Sequence, residues 1–148
     1  MSEGFRIYRR NLPHWRFEGH VYFVTWRLAP AQEFMSAKDR PLVFEAVLFF
    51  NRERFTLHAQ VVMDDHVHVI VAPEPGHKLE TIVHSWKSFS ANKLRKSQGR
   101  QGNIWQREYF DRIIRNNKEY YEKFSYIINN PVIRWPWLEK YDWVWTMQ

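Results

Sequence analysis

Residues 55–72 read FTLHAQVVM, then DD, then HVHVIVA. Two runs rich in β-branched and apolar residues flank a pair of aspartates. Runs of this kind favour strands and a short polar break favours a turn, so 55–63 and 66–72 are expected to pair as a hairpin. Side chains alternate across a strand. His66 and His68 therefore share one face, and Val67 points the other way, into the core. Two imidazoles side by side form half of a metal site. The plainer alternative is two polar residues on the exposed face of a half-buried strand.

Outward from the hairpin the same reasoning gives the remaining elements. Residues 21–28, VYFVTWRL, read as a strand that Ala29-Pro30 ends. Residues 37–51 place apolar side chains at 42, 43, 46, 47 and 50, a helical stripe. Residues 78–96 repeat that pattern at 79, 82, 83, 86, 89 and 94. QGRQGN at 98–103 is a loop, and 104–114 looks extended. Asn116-Asn117 is placed to cap a last helix running to about Asn130. Pro131 is expected to stop it, because proline pushes the preceding residue out of the helical region. Strand, helix, strand, strand, helix, strand is the order of the split βαβ, ferredoxin-like, α+β arrangement, an antiparallel sheet with helices on one face. One helix is then added at the C-terminal end. At 148 residues, without repeats or a linker, residues 1–148 are read as a single domain.

Composition narrows the chemistry. There is no cysteine, which excludes disulfides, a thiolate zinc site and a cysteine nucleophile. A divalent ion held by oxygen and nitrogen remains open. Met1 to Arg10 lacks the apolar stretch of a signal peptide, and no apolar run approaches the roughly 18 residues that span a membrane. A cytoplasmic protein with no membrane partner is expected. The net charge is +6, and residues 78–115 hold nine Lys/Arg against three Asp/Glu, a local surplus equal to that of the entire chain. A concentrated basic surplus attracts a polyanion; alternatively it is a solvated face. Aromatics reach 18%, enough for a core of large side chains with a few rings left to stack on bases.

Tyr126 and Asn130 lie four residues apart in the last helical pattern and so share a face. Three tyrosines compete there. Tyr120 has Phe124 at i+4 and Tyr121 has Ser125, whereas Tyr126 has an amide whose oxygen suits a hard cation. A tyrosine hydroxyl is a weak nucleophile unless a metal neutralises its target. The commoner role of such a tyrosine is amphipathic packing.

These blocks together resemble the HUH superfamily of single-tyrosine transposases, specifically the REP-associated tyrosine transposases. The matching residues are His66-Val67-His68, the helix end Tyr126-Ile127-Ile128-Asn129-Asn130-Pro131, the start Leu12-Pro13-His14-Trp15 with Tyr22-Phe23-Val24-Thr25, and the strand Ile104 to Glu108 with Phe110 to Arg115. Lys87 after Ser85-Trp86 matches a basic position of the second helix. The likeness spans roughly residues 10 to 145, and the ordered set is far more specific than H-x-H alone.

The resemblance implies an enzyme that nicks and rejoins single-stranded DNA. Tyr126 would attack a phosphodiester, form a 5′-phosphotyrosine and release a 3′-hydroxyl. His66, His68 and Asn130 would hold Mg²⁺ or Mn²⁺. The substrate would be a palindromic repeat folded into a hairpin. Lys87, Lys93, Arg95, Lys96, Arg107, Arg112 and Arg115 would follow the DNA backbone, with Trp105 or Trp86 stacking on unpaired bases. The sequence is compatible with a monomer or a homodimer. The chain departs from the family at Asp64, where relatives often carry proline, and at Val132-Ile133-Arg134-Trp135; it also ends at Gln148, where relatives usually continue. Two rival readings stand beside this one: a catalytically silent hairpin-binding module, and a zinc hydrolase taking His58 or His84 as third ligand.

Overall fold

The structure is a computed structural model that describes residues 20–147. Its elements are β1 (Tyr22–Leu28), α1 (Arg40–Leu48), β2 (Phe55–Val62), β3 (His66–Pro73), α2 (Leu79–Gln98), β4 (Trp105–Ile113), α3 (Asn117–Arg134) and β5 (Val144–Thr146). The strands form one antiparallel sheet in the order β4-β1-β3-β2-β5. The first four strands are those of the split βαβ arrangement, as expected. The short β5 was not anticipated; it extends the β2 edge, with Gln60 opposite Trp145. The block Leu12 to Trp15 lies outside the described residues. No described helix is long and apolar enough to cross a membrane.

Alternation divides the sheet into two apolar faces. Val24, Trp26, Leu28, Val67, Val69 and Val71 pack with α1 and α2. Phe23, Ala59, Val61 and Ile70 pack with Tyr120, Phe124, Ile127 and Ile128 of α3. The first face explains much of the aromatic content: Trp26 stacks on Trp86 at 5.5 Å between ring centres and meets Trp105 edge-on at 6.2 Å. Trp86 and Trp105 are thus core residues. Trp105 is 7% exposed and its indole N–H donates to Ser90 Oγ. The expectation that Trp105 or Trp86 stacks on bases is overturned, because their strand and helix parity turns both inward.

Asn116 caps α3, its side chain accepting from the Glu119 N–H at 2.8 Å, while Glu119 accepts from the Arg115 N–H. The far end of α3 differs from expectation. Pro131 does not stop the helix, which continues to Arg134. Proline there removes one backbone donor. Tertiary contacts keep the last turn: Pro131 and Val132 are buried, the Trp135 N–H donates to the Pro131 carbonyl, and Arg134 binds Asp64 in the β2–β3 turn at 2.7 Å.

Candidate active site

The hairpin turn is closed by Met63 N–H donating to the His66 carbonyl, and Val62 faces Val67. This register turns His66 and His68 toward α3, with ring centres 4.6 Å apart. Each imidazole is held by one nitrogen. His66 Nδ1 lies 2.6 Å from the Asp65 carboxylate, to which it donates. His68 Nδ1 lies 2.6 Å from the Thr25 hydroxyl oxygen. His66 donates from Nδ1, so its Nε2 presents a lone pair; the Thr25 hydroxyl can accept from His68 Nδ1, and in that tautomer His68 Nε2 presents one too. Burial, reinforced by the nearby charges of His66, Arg27 and Lys123, pushes His68 down to about 2, so its ring is neutral, the form that binds metals. Its Nε2 is buried without a hydrogen-bond partner among the described residues. A buried nitrogen of this kind is costly unless something occupies it, so the donor set fits a divalent cation.

Tyr126 faces His68. Its ring lies 5.2 Å from His68 and 6.1 Å from Phe23, edge-on to both, and it is 46% exposed. Arg134, two helical turns on, is tied to Asp64. Tyr126 meets His68 and, eight residues further along α3, Arg134 meets Asp64 in the turn that precedes β3. Helix and strand therefore run alongside in opposite directions, anchored at both ends. Asn130 lies on α3 between Tyr126 and Arg134. Asn130 is buried. Asn129, which the sequence reading passed over, also has a buried amide oxygen without a partner among the described residues.

Tyr120, His58 and His84 lie away from His66 and His68. Tyr120 is fully buried, and its hydroxyl lies 2.7 Å from His58 Nδ1. Burial raises its pKa. His84 sits on α2, across the sheet from α3. The zinc-hydrolase reading thus loses both its third ligands, and among the described residues no group of three His, Cys, Asp or Glu could hold a metal.

His58 itself makes a prediction. Burial lowers its pKa from 6.5 to about 4. Between those values the unfolded chain takes up a proton that the folded chain refuses. The stability from a neutral His58 is complete above pH 6.5, falls as pH drops toward 4, and changes no further below. The span is about 3 kcal/mol. His68 adds its own slope over the same window. Urea unfolding of metal-free protein at pH 4–7 should therefore give a pH slope that His58→Gln roughly halves; an unchanged slope would contradict the assignment.

The basic residues divide between the two faces. Along β4, Gln106, Glu108 and Phe110 line a cavity of about 550 Å³ with His68, Tyr126, Arg27 and Lys123. Arg107 faces the other way, lining a hollow with His84 and Lys87 of α2. Lys93, Arg95 and Lys96 are exposed on α2. Lys87 Nζ donates to the carbonyls of Gln106 and Arg107, and Arg95 donates to Gly102. Arg112 pairs with Glu119, while Arg115 is exposed. The segment expected to follow DNA as one tract is therefore split, with Lys93, Lys96 and Arg107 away from Tyr126. The cations beside Tyr126 are Arg27 and Lys123, which fall outside the basic segment. Cross-strand register was their signal: Arg27 lies opposite His66.

Comparison with known proteins agrees with this architecture. The family described as Transposase IS200 like matches residues 37–130. A REP-associated tyrosine transposase of Escherichia coli (strain K12) is 27% identical over 128 residues, covering 86% of this chain and 71% of that protein. Among solved structures, a REP-associated tyrosine transposase bound to a REP hairpin superposes with a TM-score of 0.69 at 24% identity, over 90% of this chain and 81% of that one. A putative transposase from Deinococcus radiodurans R1 gives 0.56 at 17% identity, over 80% and 97%.

Proposed function

The chain belongs to the IS200-like transposase family, and on that premise we propose that it is a metal-dependent endonuclease and strand transferase acting on single-stranded DNA beside a hairpin. The observation that carries this reading is the half-exposed Tyr126 set against a buried His68 Nε2 that has no partner among the described residues. The solved relative at TM-score 0.69 holds a REP hairpin, and a palindromic repeat is the substrate proposed here too.

Nε2 of His66, Nε2 of His68 and the Asn130 amide oxygen are the proposed ligands of Mg²⁺ or Mn²⁺. The ion, when bound, supplies Lewis acidity that neutralises charge on the scissile phosphate. Asp65 and Thr25 fix the two rings so that Nε2 is the presented atom. The Tyr126 oxygen attacks phosphorus. The new bond is tyrosine oxygen to phosphorus, the broken bond is phosphorus to the 3′ oxygen, and the phenolic proton is given up to solvent. The 3′ oxygen leaves and takes a proton, giving a 3′-hydroxyl and a 5′-phosphotyrosine. Attack by another 3′-hydroxyl on that phosphotyrosine rejoins DNA and restores Tyr126. Arg27 and Lys123 stand where they attract the phosphate backbone.

Incubation with an end-labelled single strand carrying a hairpin tests the reading. Mg²⁺ or Mn²⁺ should give a cleaved product and a protein-linked band. Retained hairpin binding with no product under either ion would instead support the silent binding module.

Binding should also report the charges. On a single strand, log affinity falls with log salt by about 0.7 per phosphate contacted. Lys123→Ala, beside Tyr126, should lower that slope by about 0.7, whereas Lys93→Ala, on the other face of the sheet, should leave it unchanged, measured by fluorescence anisotropy across a salt series. Lys87→Ala and Arg95→Ala should also disturb folding, because those head groups hold backbone carbonyls. An affinity indifferent to salt would make the basic residues a solvated surface only.

A further inference from the structure

We propose that the cavity beside Tyr126 is a pocket for one unpaired base of the strand being cut, with Phe110 as its stacking floor and Glu108 and Gln106 as readers of a base amino group. The pocket rests on the function proposed above, since it supposes that a single strand crosses Tyr126. The placement follows from the sheet. Phe110 lies opposite Thr25, and Thr25 opposite His68, so the three form a row across β4, β1 and β3. At about 4.8 Å per strand, Phe110 stands about 10 Å from His68 on the same face. It is an edge-strand aromatic left 56% exposed, and an exposed ring next to a phosphate-cutting centre is a platform on which a base can stack.

The charges decide what the pocket reads. Arg27 and Lys123 suit a phosphate backbone, but Glu108 in the same cavity repels one. Among the described residues Glu108 forms no ion pair. The Gln106 amide nitrogen donates to the Leu28 carbonyl at 3.3 Å, which leaves its oxygen as an acceptor. Two acceptors above an aromatic floor match a base that presents an amino group. Cytosine, adenine and guanine each offer one, whereas thymine has no amino group and offers a single N3–H flanked by the O2 and O4 oxygens. The pocket therefore selects against thymine.

The test uses the full chain carrying Tyr126→Phe, which prevents turnover, with fluorescein-labelled five-nucleotide strands of dC or dT at fixed salt. The two pyrimidines stack alike, so their ratio isolates hydrogen bonding. The expected result is dC bound about tenfold more tightly than dT. Glu108→Gln should collapse that ratio toward one, and the ratio cancels the gain both strands draw from the lost charge. Phe110→Ala should weaken both strands about tenfold and Phe110→Trp should restore them. Equal affinity for dC and dT, a ratio unchanged in Glu108→Gln, or strands indifferent to Phe110→Ala would each overturn the pocket. The covalent-band assay on hairpin DNA is separate. A dC preference without that band retains the pocket and overturns the cleavage reading; a band without the preference does the reverse.

Discussion

Tyr126→Phe is expected to abolish the covalent protein–DNA band and lower cleavage on the order of 10⁴-fold or more, while hairpin binding stays within about twofold. The substitution keeps the ring that meets His68 and Phe23 edge-on and removes only the hydroxyl. Denaturing electrophoresis of end-labelled DNA reads the band, and anisotropy reads binding. The neighbouring tyrosines are poor substitutes. Tyr120 is buried beneath α3 against His58, and Tyr121 packs at 5.8 Å against Tyr120 rather than against the histidine pair. A band that persists in the phenylalanine variant would move the nucleophile elsewhere.

His66→Ala is expected to stop cleavage by a different route. The hydroxyl remains, but one of three proposed ligands is gone, and the affinity for Mn²⁺ should fall at least about 100-fold in titration calorimetry without DNA. Raised Mg²⁺ or Mn²⁺ should partly rescue this variant and should not rescue Tyr126→Phe. Asp65→Asn should give a milder loss, about 10- to 100-fold in metal affinity, because the ring stays but loses the carboxylate that orients it. His66 is the cleaner site for this test than His68. The His68 side chain is buried and bonded to Thr25, so its removal also costs stability. Unchanged Mn²⁺ affinity in His66→Ala would remove the pair from the metal site.

The parts of the site that follow from periodicity were legible in the sequence. A strand period of two put His66 and His68 on one face, the face turned toward the helix that carries Tyr126. What the sequence hid depends on contacts between distant segments. Pro131 obeys a local rule that predicts a stop, yet α3 runs on because Arg134 reaches Asp64, seventy residues away. Trp105 sits among charges and looks available to DNA, but the parity of β4 sends it into the core and sends Phe110 outward. Counting charge along the chain singled out residues 78–115; register instead places Arg27 beside His66 and α3 brings in Lys123. Three-residue β5 carries too little pattern to be read before its pairing with β2 is known.

The account turns on which atom becomes joined to DNA. The most direct measurement is mass spectrometry of the protein after reaction with hairpin DNA and Mn²⁺, followed by nuclease and protease digestion. The expected result is a single nucleotide-bearing peptide with the phosphate on Tyr126, absent when metal is chelated. A phosphate on Tyr120, Tyr121 or any other residue, or a Tyr126 adduct that forms equally well without metal, would contradict it.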